Sequence, residues 1–417
     1  MNIIKYLKKH YARNTRISIH EDNSFTFFVD YILKNYSKSY EISVDIIYVK
    51  SSKLYPCKLS FKQFNKHFIV WDSMFWDEYE KYYKNMLLLE FNKQKQEYTA
   101  INDIISIVNR VLSYALEEYP FISFELAKKG AKHILSEQAK KQIMNIIQYE
   151  LKPGEYNSDV LIAKLFVFFH EKTHIEYRVR DKIYYNDLTE IKNLLKFVLL
   201  SENMSKDFKD SNMFLQKNSN NYSSMILDEI EKFERNKQSK QTPEVEELLC
   251  DFYAIKEMFA YFKQIFINKK EDTILSAILT NTTYVTSFEM ILKYQSVQWI
   301  RTLRLLDSFN GNYTNINKVE IEKYLKNIEM EKDFVLFRNM LVLRMFIVYC
   351  NVNHNKMKVG YFISPEKFNQ LYNQITLKCS DTDFICDLFY ESKKNNKHYS
   401  FYDIKKLYEE KDRLLNL

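Results

Sequence analysis

The sequence predicts a predominantly helical α+β protein. Three observations carry that expectation. Only 4 Gly and 5 Pro occur in 417 residues, too few turn formers for a fold built from many short strands. Strand-like runs, rich in β-branched and aromatic side chains, are concentrated in the first hundred residues, with only short ones beyond. After residue 100, apolar side chains recur mostly at helical spacing. With 46% hydrophobic residues in 50.6 kDa, the chain is long enough for two or three domains and a sizeable core. The pattern divides it into a mixed α/β accessory region over 1–100, a core region over 101–268 and a helical region over 269–417.

Within the first region, the runs at 24–31, 41–49 and 68–71 read as strands, and 76–89 as a helix. Ile104, Ile105, Val108, Val111, Leu112 and Leu116 share one face of a helix over 101–118. Segments 121–126 and 131–135 flank Lys128-Lys129-Gly130, which predicts a hairpin. His133 reads as an ordinary surface or turn residue. A helix over 138–151 follows, and then the turn formers Pro153-Gly154. Asn157, Ser158 and Asp159 offer N-cap side chains to the next helix. Downstream come a short strand at 182–185, a helix at 188–200, a polar Asn/Ser/Lys-rich insertion at 201–224 and a helix at 226–235. Beyond 270 the reading is helical at 286–306, 320–349 and 365–372, with a loop around Asn310-Gly311-Asn312 and a highly charged tail from 402 to 417.

The helix after Asn157 carries the chemistry. Val160, Leu161, Ala163, Leu165, Phe166, Val167, Phe168 and Phe169 make it apolar nearly all round, so it is expected to be buried. It leads into His170-Glu171-Lys172-Thr173-His174. Two His four residues apart project from one face of a helix, so both imidazoles reach a single metal ion, and imidazole nitrogen suits Zn²⁺. The Glu between them is placed to take a proton from water held there. Polar groups at the end of so apolar a helix need partners, and a metal supplies them; a pair of hydrogen-bonded core histidines is the alternative.

This His-Glu-x-x-His pattern resembles the zincin metallopeptidases. Their metzincin branch places a Gly three residues and a third His six residues after the second His. Tyr177 and Arg180 stand there in this chain, so that branch does not apply. In the gluzincin branch the third ligand is a Glu on a later helix, followed four residues on by an Asp that orients one His. Glu247 and Asp251 have that relation, with the small Ala254 beyond. Thr242 and Pro243 suit the start of the helix, and Val245, Leu248, Leu249, Phe252, Ile255, Phe259 and Phe262 give it an apolar face. Glu246 is the nearest rival ligand and Cys250 a further one; a solvated acidic helix start is the plainer reading of the same carboxylates. Many gluzincins carry His-Pro and then Arg further on. Gln295 and Ser296 occupy the His-Pro place here and only Arg301 matches. Arg301 or Arg304 would suit an oxyanion, though a surface or helix-pairing role is the preferred reading of both. In zincins a strand before the motif helix commonly lies beside the cleft, a role the resemblance gives to 121–126.

The resemblance implies a zincin-like core in which His170, His174 and Glu247 bind Zn²⁺, Glu171 is the general base and Asp251 orients a ligand. It implies hydrolysis of peptide bonds in an intracellular protein or peptide. The motif arrangement also resembles the Lit-like peptidases of phage exclusion, which implies a specific protein substrate and an otherwise quiet site. A housekeeping oligopeptidase and a zinc hydrolase of other substrates fit the same motif. The alternative from another class is a non-enzymatic helical interaction or regulatory protein with a zincin-like core.

Composition bounds the partners. Net charge is +7, from 61 Lys+Arg against 54 Asp+Glu, spread without a basic block, so no nucleic-acid footprint is expected. Residues 1–13 are basic and lack the apolar core of a secretory signal. No stretch is apolar enough for a membrane span; the nearest, 334–349, is interrupted by Arg338 and Arg344. Five Cys without paired spacing suit a reducing compartment, and the cytoplasm is the expected location. Cys350, His354, Cys379 and Cys386 have no zinc-knuckle spacing and read as buried small side chains or free thiols. Oligomeric state is not legible.

Overall fold

The computed structural model describes residues 3–10, 16–18, 23–40, 43–51, 57–61, 66–91, 97–131, 137–146, 155–179, 243–265, 271–308, 382–396 and 400–414, with isolated helical positions at 193, 227–228, 231–232, 374–375 and 378–379. The expected elements at 182–185, 188–200, 201–224, 226–235, 320–349 and 365–372 lie wholly or largely outside the described residues. So do the loop around Asn310, His133, Thr242, Cys350 and His354.

The described elements are predominantly helical with one small sheet, as expected. Helix α1 (Ile3–His10) precedes strand β1 (Arg16–Ile17) and helix α2 (Asn23–Tyr40). Three strands follow, β2 (Ser43–Lys50), β3 (Cys57–Phe61) and β4 (Lys66–Asp72). Helices α3 (Ser73–Phe91), α4 (Glu97–Ala115), α5 (Pro120–Ala131), α6 (Glu137–Asn145) and α7 (Glu155–Val179) come next. After them come α8 (Pro243–Ile265), α9 (Glu271–Ser308), α10 (Thr382–Asn396) and α11 (Phe401–Leu414).

The sheet has the order β1-β2-β4-β3. Strands β2 and β4 are parallel, with Ile46 opposite Ile69 and Tyr48 opposite Trp71. Strand β1 is antiparallel to β2, and β3 is antiparallel to β4. The expected strands at 41–49 and 68–71 are thus β2 and β4. At the end of β4 the buried Asp72 carboxylate accepts from Ser51 N–H at 3.3 Å, from the Ser51 hydroxyl and from Met74 N–H at 3.1 Å. The last of these satisfies an amide of the first turn of α3, and the others tie β2 to it.

Two expected strand segments are helices. Residues 24–31 belong to α2, although Phe, Thr and Val favour strands. Phe25, Val29 and Ile32 are buried at helical spacing while Phe27 and Tyr31 are exposed, so packing overrides propensity. Phe25 stacks on Trp71 at 4.5 Å and meets Phe168 edge-on at 6.4 Å. Residues 121–131 of the predicted hairpin form helix α5, which opens at Pro120, a residue suited to a first turn, while 132–135 lie outside the described residues. Gly130 marks a close crossing: a Cβ there would lie 2.9 Å from Arg110 N and 3.0 Å from Ser106 O of α4. The extended element beside the motif helix is therefore not 121–126. Among the described residues α7 packs instead on β3 and β4 of the N-terminal sheet, with β3 at the end of the strand order.

One hydrophobic core runs from Phe25 to Phe389. Helix α7 lies across it, packed by α8 and α9 and by α2. Phe166, Phe168 and Phe169 are fully buried, each contributing about 1.5–3 kcal/mol relative to exposure. The helix begins at Glu155, so Asn157 to Asp159 lie inside its first turns instead of capping it; Asp159 accepts a hydrogen bond from Tyr83 Oη at 2.7 Å. Helix α9, about 57 Å long by its 38 residues, meets α3 through Tyr82 Oη and Ser287 Oγ at 3.0 Å. Trp299 of α9 donates to the Cys379 carbonyl at 2.7 Å, and Cys379 is wholly buried. The charged tail folds back as α11, where the buried Lys411 reaches Glu117 at 3.2 Å and Ser123 at 3.3 Å. No helix among the described residues is long and apolar enough to cross a membrane.

Candidate metal centre

The motif residues come from the apolar helix α7, and their partners come from the acidic first turns of α8. The two helices pack along their length. Val245, Leu248, Leu249, Phe252, Ile255 and Phe259 bury the apolar face of α8. That packing sets the rotation of α8 and turns Glu246, Glu247, Cys250 and Asp251 toward the two imidazoles.

His170 and His174 are both buried, with ring centroids 4.9 Å apart at 80°. Glu247 bridges them: its Oε2 lies 3.4 Å from His170 Nε2, and its Oε1 lies 3.5 Å from His174 Nε2. The other ring nitrogens have separate carboxylates. His170 Nδ1 is 2.8 Å from Asp251 Oδ1, close in distance but not aligned as a hydrogen bond. His174 Nδ1 is hydrogen-bonded to Glu246 Oε1 at 2.7 Å. So each imidazole has its Nδ1 against a carboxylate and its Nε2 turned to Glu247.

The sulfur of Cys250 belongs to the same cluster. Ligand atoms of His170, His174 and Cys250 all lie within 4.8 Å of one another, a buried group that could hold a metal ion. Cys250 and Asp251 are wholly buried, whereas the Glu247 side chain is 27% exposed. Glu247 lies 3.4 and 3.5 Å from the two Nε2 atoms, and it is the most exposed of these three side chains.

The electrostatics favour a cation. Burial pulls the His170 imidazole down, but Asp251 and then Glu247 outweigh it, and the ring is pushed up to about 10. Three carboxylates surround two imidazoles, so even doubly protonated His leaves a net negative charge. The spacing fits too. Glu247 turns a different oxygen to each ring, Oε2 to His170 Nε2 at 3.4 Å and Oε1 to His174 Nε2 at 3.5 Å, each near the spacing of about 3.3–3.4 Å between two donors around a tetrahedral ion.

Glu171 is half-buried on α7 between the two His. Lys172, inside the motif, turns the other way. It is 4% exposed and pairs with Glu176 at 2.9 Å and Glu257 of α8 at 3.8 Å. Burial lowers the Lys172 ammonium, yet these two carboxylates keep it above its ordinary range. Thr173 returns its hydroxyl to the Phe169 carbonyl at 2.8 Å. On α9, Arg301 is half-buried and Arg304 exposed.

The residues expected to hold and orient a metal, His170, His174, Glu247 and Asp251, come together, and Glu171 follows His170 on the same helix. In the sequence Glu246 reads only as a rival to Glu247, whereas in the structure its carboxylate holds His174. Two acidic residues in succession, facing two His one turn apart, were the available signal: adjacent residues point about 100° apart on a helix, enough for each to reach a different imidazole. The chain matches no family model, no curated protein and no solved structure.

Proposed function

We propose that the chain is a zinc-dependent metallopeptidase with a gluzincin-type site. The observation that carries this reading is the placement of both Nε2 atoms against Glu247, with both Nδ1 atoms against carboxylates of their own. His170, His174 and Glu247 would hold the ion. Zinc bound there would polarise the scissile carbonyl and lower the pKa of a water at its open position.

The remaining chemistry falls to the protein's own groups. Glu246 fixes the tautomer of His174 through its hydrogen bond, and the Asp251 carboxylate, 2.8 Å from His170 Nδ1, favours the proton on that nitrogen by its charge, so that each ring presents Nε2 as a lone pair. Glu171 takes the proton of the attacking water and delivers it to the departing amine. Phe166, fully buried with its ring centroid 6.4 Å from that of His170, keeps water from that side of the imidazole. Beside α7, strand β3, which ends the sheet among the described residues, suits an extended peptide, which would pair by main-chain hydrogen bonds. The substrate class is therefore a protein or peptide. Cys250, Cys379 and Cys386 form no disulfide, which favours a reducing, cytoplasmic setting.

Elemental analysis of purified wild type, His174→Ala and Glu247→Ala tests the reading. About one zinc per wild-type chain is expected, with loss or sharp weakening in both variants. A peptide-library digest then compares wild type with Glu171→Gln, which should keep its zinc and lose about 10²–10⁴-fold in rate. A wild-type protein that takes up no zinc on reconstitution overturns the proposal.

A further inference from the structure

We propose that Cys250 supplies a thiolate to the metal held by His170 and His174, so that the resting site is closed by four protein donors. The inference rests on the metal-site reading above and concerns its regulation. A catalytic zinc takes three protein ligands and keeps one position open, whereas four protein ligands make a closed site. His170, His174 and Glu247 already make three. The sulfur of Cys250, within 4.8 Å of both His donors, is one more than catalysis uses.

Its position on α8 explains how it gets there. Successive residues of a helix are 100° apart, so Cys250 projects about 40° from Glu246 and about 60° from Glu247. It sits between the carboxylate that holds His174 and the one that bridges both rings. The side chain is wholly buried, whereas that of Glu247 is 27% exposed. Asp251 and Glu246 are committed to the Nδ1 atoms. That leaves Cys250 as the fourth donor of the cluster, and a thiolate is a good ligand for zinc.

Ligation breaks the S–H bond of Cys250, releases the proton to solvent and leaves the bonding electrons on sulfur. Release reverses this, with sulfur taking a proton back. Neither direction needs an oxidant or reductant. In the closed state the open position that hydrolysis requires is filled, and the peptidase is held quiet until Cys250 leaves. Turning the Cys250 side chain about its Cα–Cβ bond is enough to separate sulfur from metal and leaves Glu247, one turn away on the same helix, in place.

X-ray absorption at the zinc edge of the full-length wild-type protein reads the ligand shell without any variant. One sulfur at about 2.3 Å alongside nitrogen and oxygen at about 2.0–2.1 Å is expected. Cobalt substitution gives a second reading, a sulfur-to-cobalt charge-transfer band in the near ultraviolet. Both signatures should vanish in Cys250→Ser and in Cys250→Ala, with circular dichroism confirming that each is folded, and metal affinity should fall by about tenfold or more. A wild-type shell without sulfur overturns the proposal and leaves the peptidase reading standing. A sulfur signature that persists in the variants assigns it to another cysteine and also overturns it. Failure to bind either metal overturns both.

Discussion

The His174 imidazole lies with its Nδ1 2.7 Å from Oε1 of Glu246, a residue that precedes the bridging Glu247 by a single position. The contact gives neighbouring carboxylates on α8 different tasks. Glu246 fixes a ring from behind and Glu247 faces the nitrogens that would bind the ion. Glu246→Gln keeps the shape and removes the charge, so zinc affinity is expected to fall about 10–100-fold, and Asp251→Asn to act similarly through His170. Glu247→Gln should weaken binding more than either. A chelator-competition titration gives all three constants, and a larger loss in Glu246→Gln than in Glu247→Gln would exchange their roles.

Proton and metal compete for the same site. In metal-stripped protein, burial opposes the charge on His170, but Asp251 and Glu247 raise its pKa to about 10, against an ordinary value of 6.5. A group whose folded pKa is raised contributes stability that is fully present below its unfolded value. That stability is lost as pH rises toward the folded value. The apo protein should therefore lose stability between pH 6.5 and about 10, while metal affinity climbs over the same window because the ligand must be unprotonated. Thermal melts of apo protein and zinc titrations across that range measure the two slopes, which are expected to have opposite signs.

Local relations were legible in the sequence, and those that depend on how one helix is turned against another were not. His170 and His174 sit one turn apart on one helix, and Glu247 and Asp251 do so on another, so spacing alone identifies them. Which of two adjacent carboxylates meets which imidazole depends on the rotation of α8 about its axis, set by Val245, Leu248, Leu249 and Phe252 in the core. The same division explains the fold. Residues 24–31 have strand-forming side chains, but the buried set of Phe25, Val29 and Ile32 recurs at the helical period. Gly130 carries no mark that separates a turn from a close crossing; only its approach to Arg110 does.

Lys172 shows how the motif helix is fastened. Its ammonium is shared by Glu176 on its own helix and Glu257 on α8. Lys172→Ala removes the ammonium that those two carboxylates share, and burial already raises Glu257. Breaking a buried pair from one side costs about 3–5 kcal/mol; with Glu257 32% exposed, the lower end is expected. Denaturant unfolding of the variant checks the size. Lys172→Met with Glu257→Gln should recover part of the loss, because it removes charge from both helices. A double variant no more stable than Lys172→Ala would show that the ion pair is not the fastening.

Gly130→Ala sets two effects of opposite sign against each other. Within a helix, Ala is favoured over Gly by about 0.5–1 kcal/mol, so propensity alone predicts a gain. At this crossing a methyl group would meet Arg110 Cγ, with Arg110 N at 2.9 Å and Ser106 O at 3.0 Å. Backbone atoms do not move aside cheaply, and the Arg110 side chain is held by Glu78 at 2.8 Å. Helices α4 and α5 would have to separate, at a cost of about 1–3 kcal/mol for overpacking, and the clash wins. The variant should melt at a lower temperature than wild type, and Gly130→Ala combined with Arg110→Ala should recover little, since the main-chain contacts remain. A higher melting temperature in the single variant would mean that the two helices are not pressed together at this point.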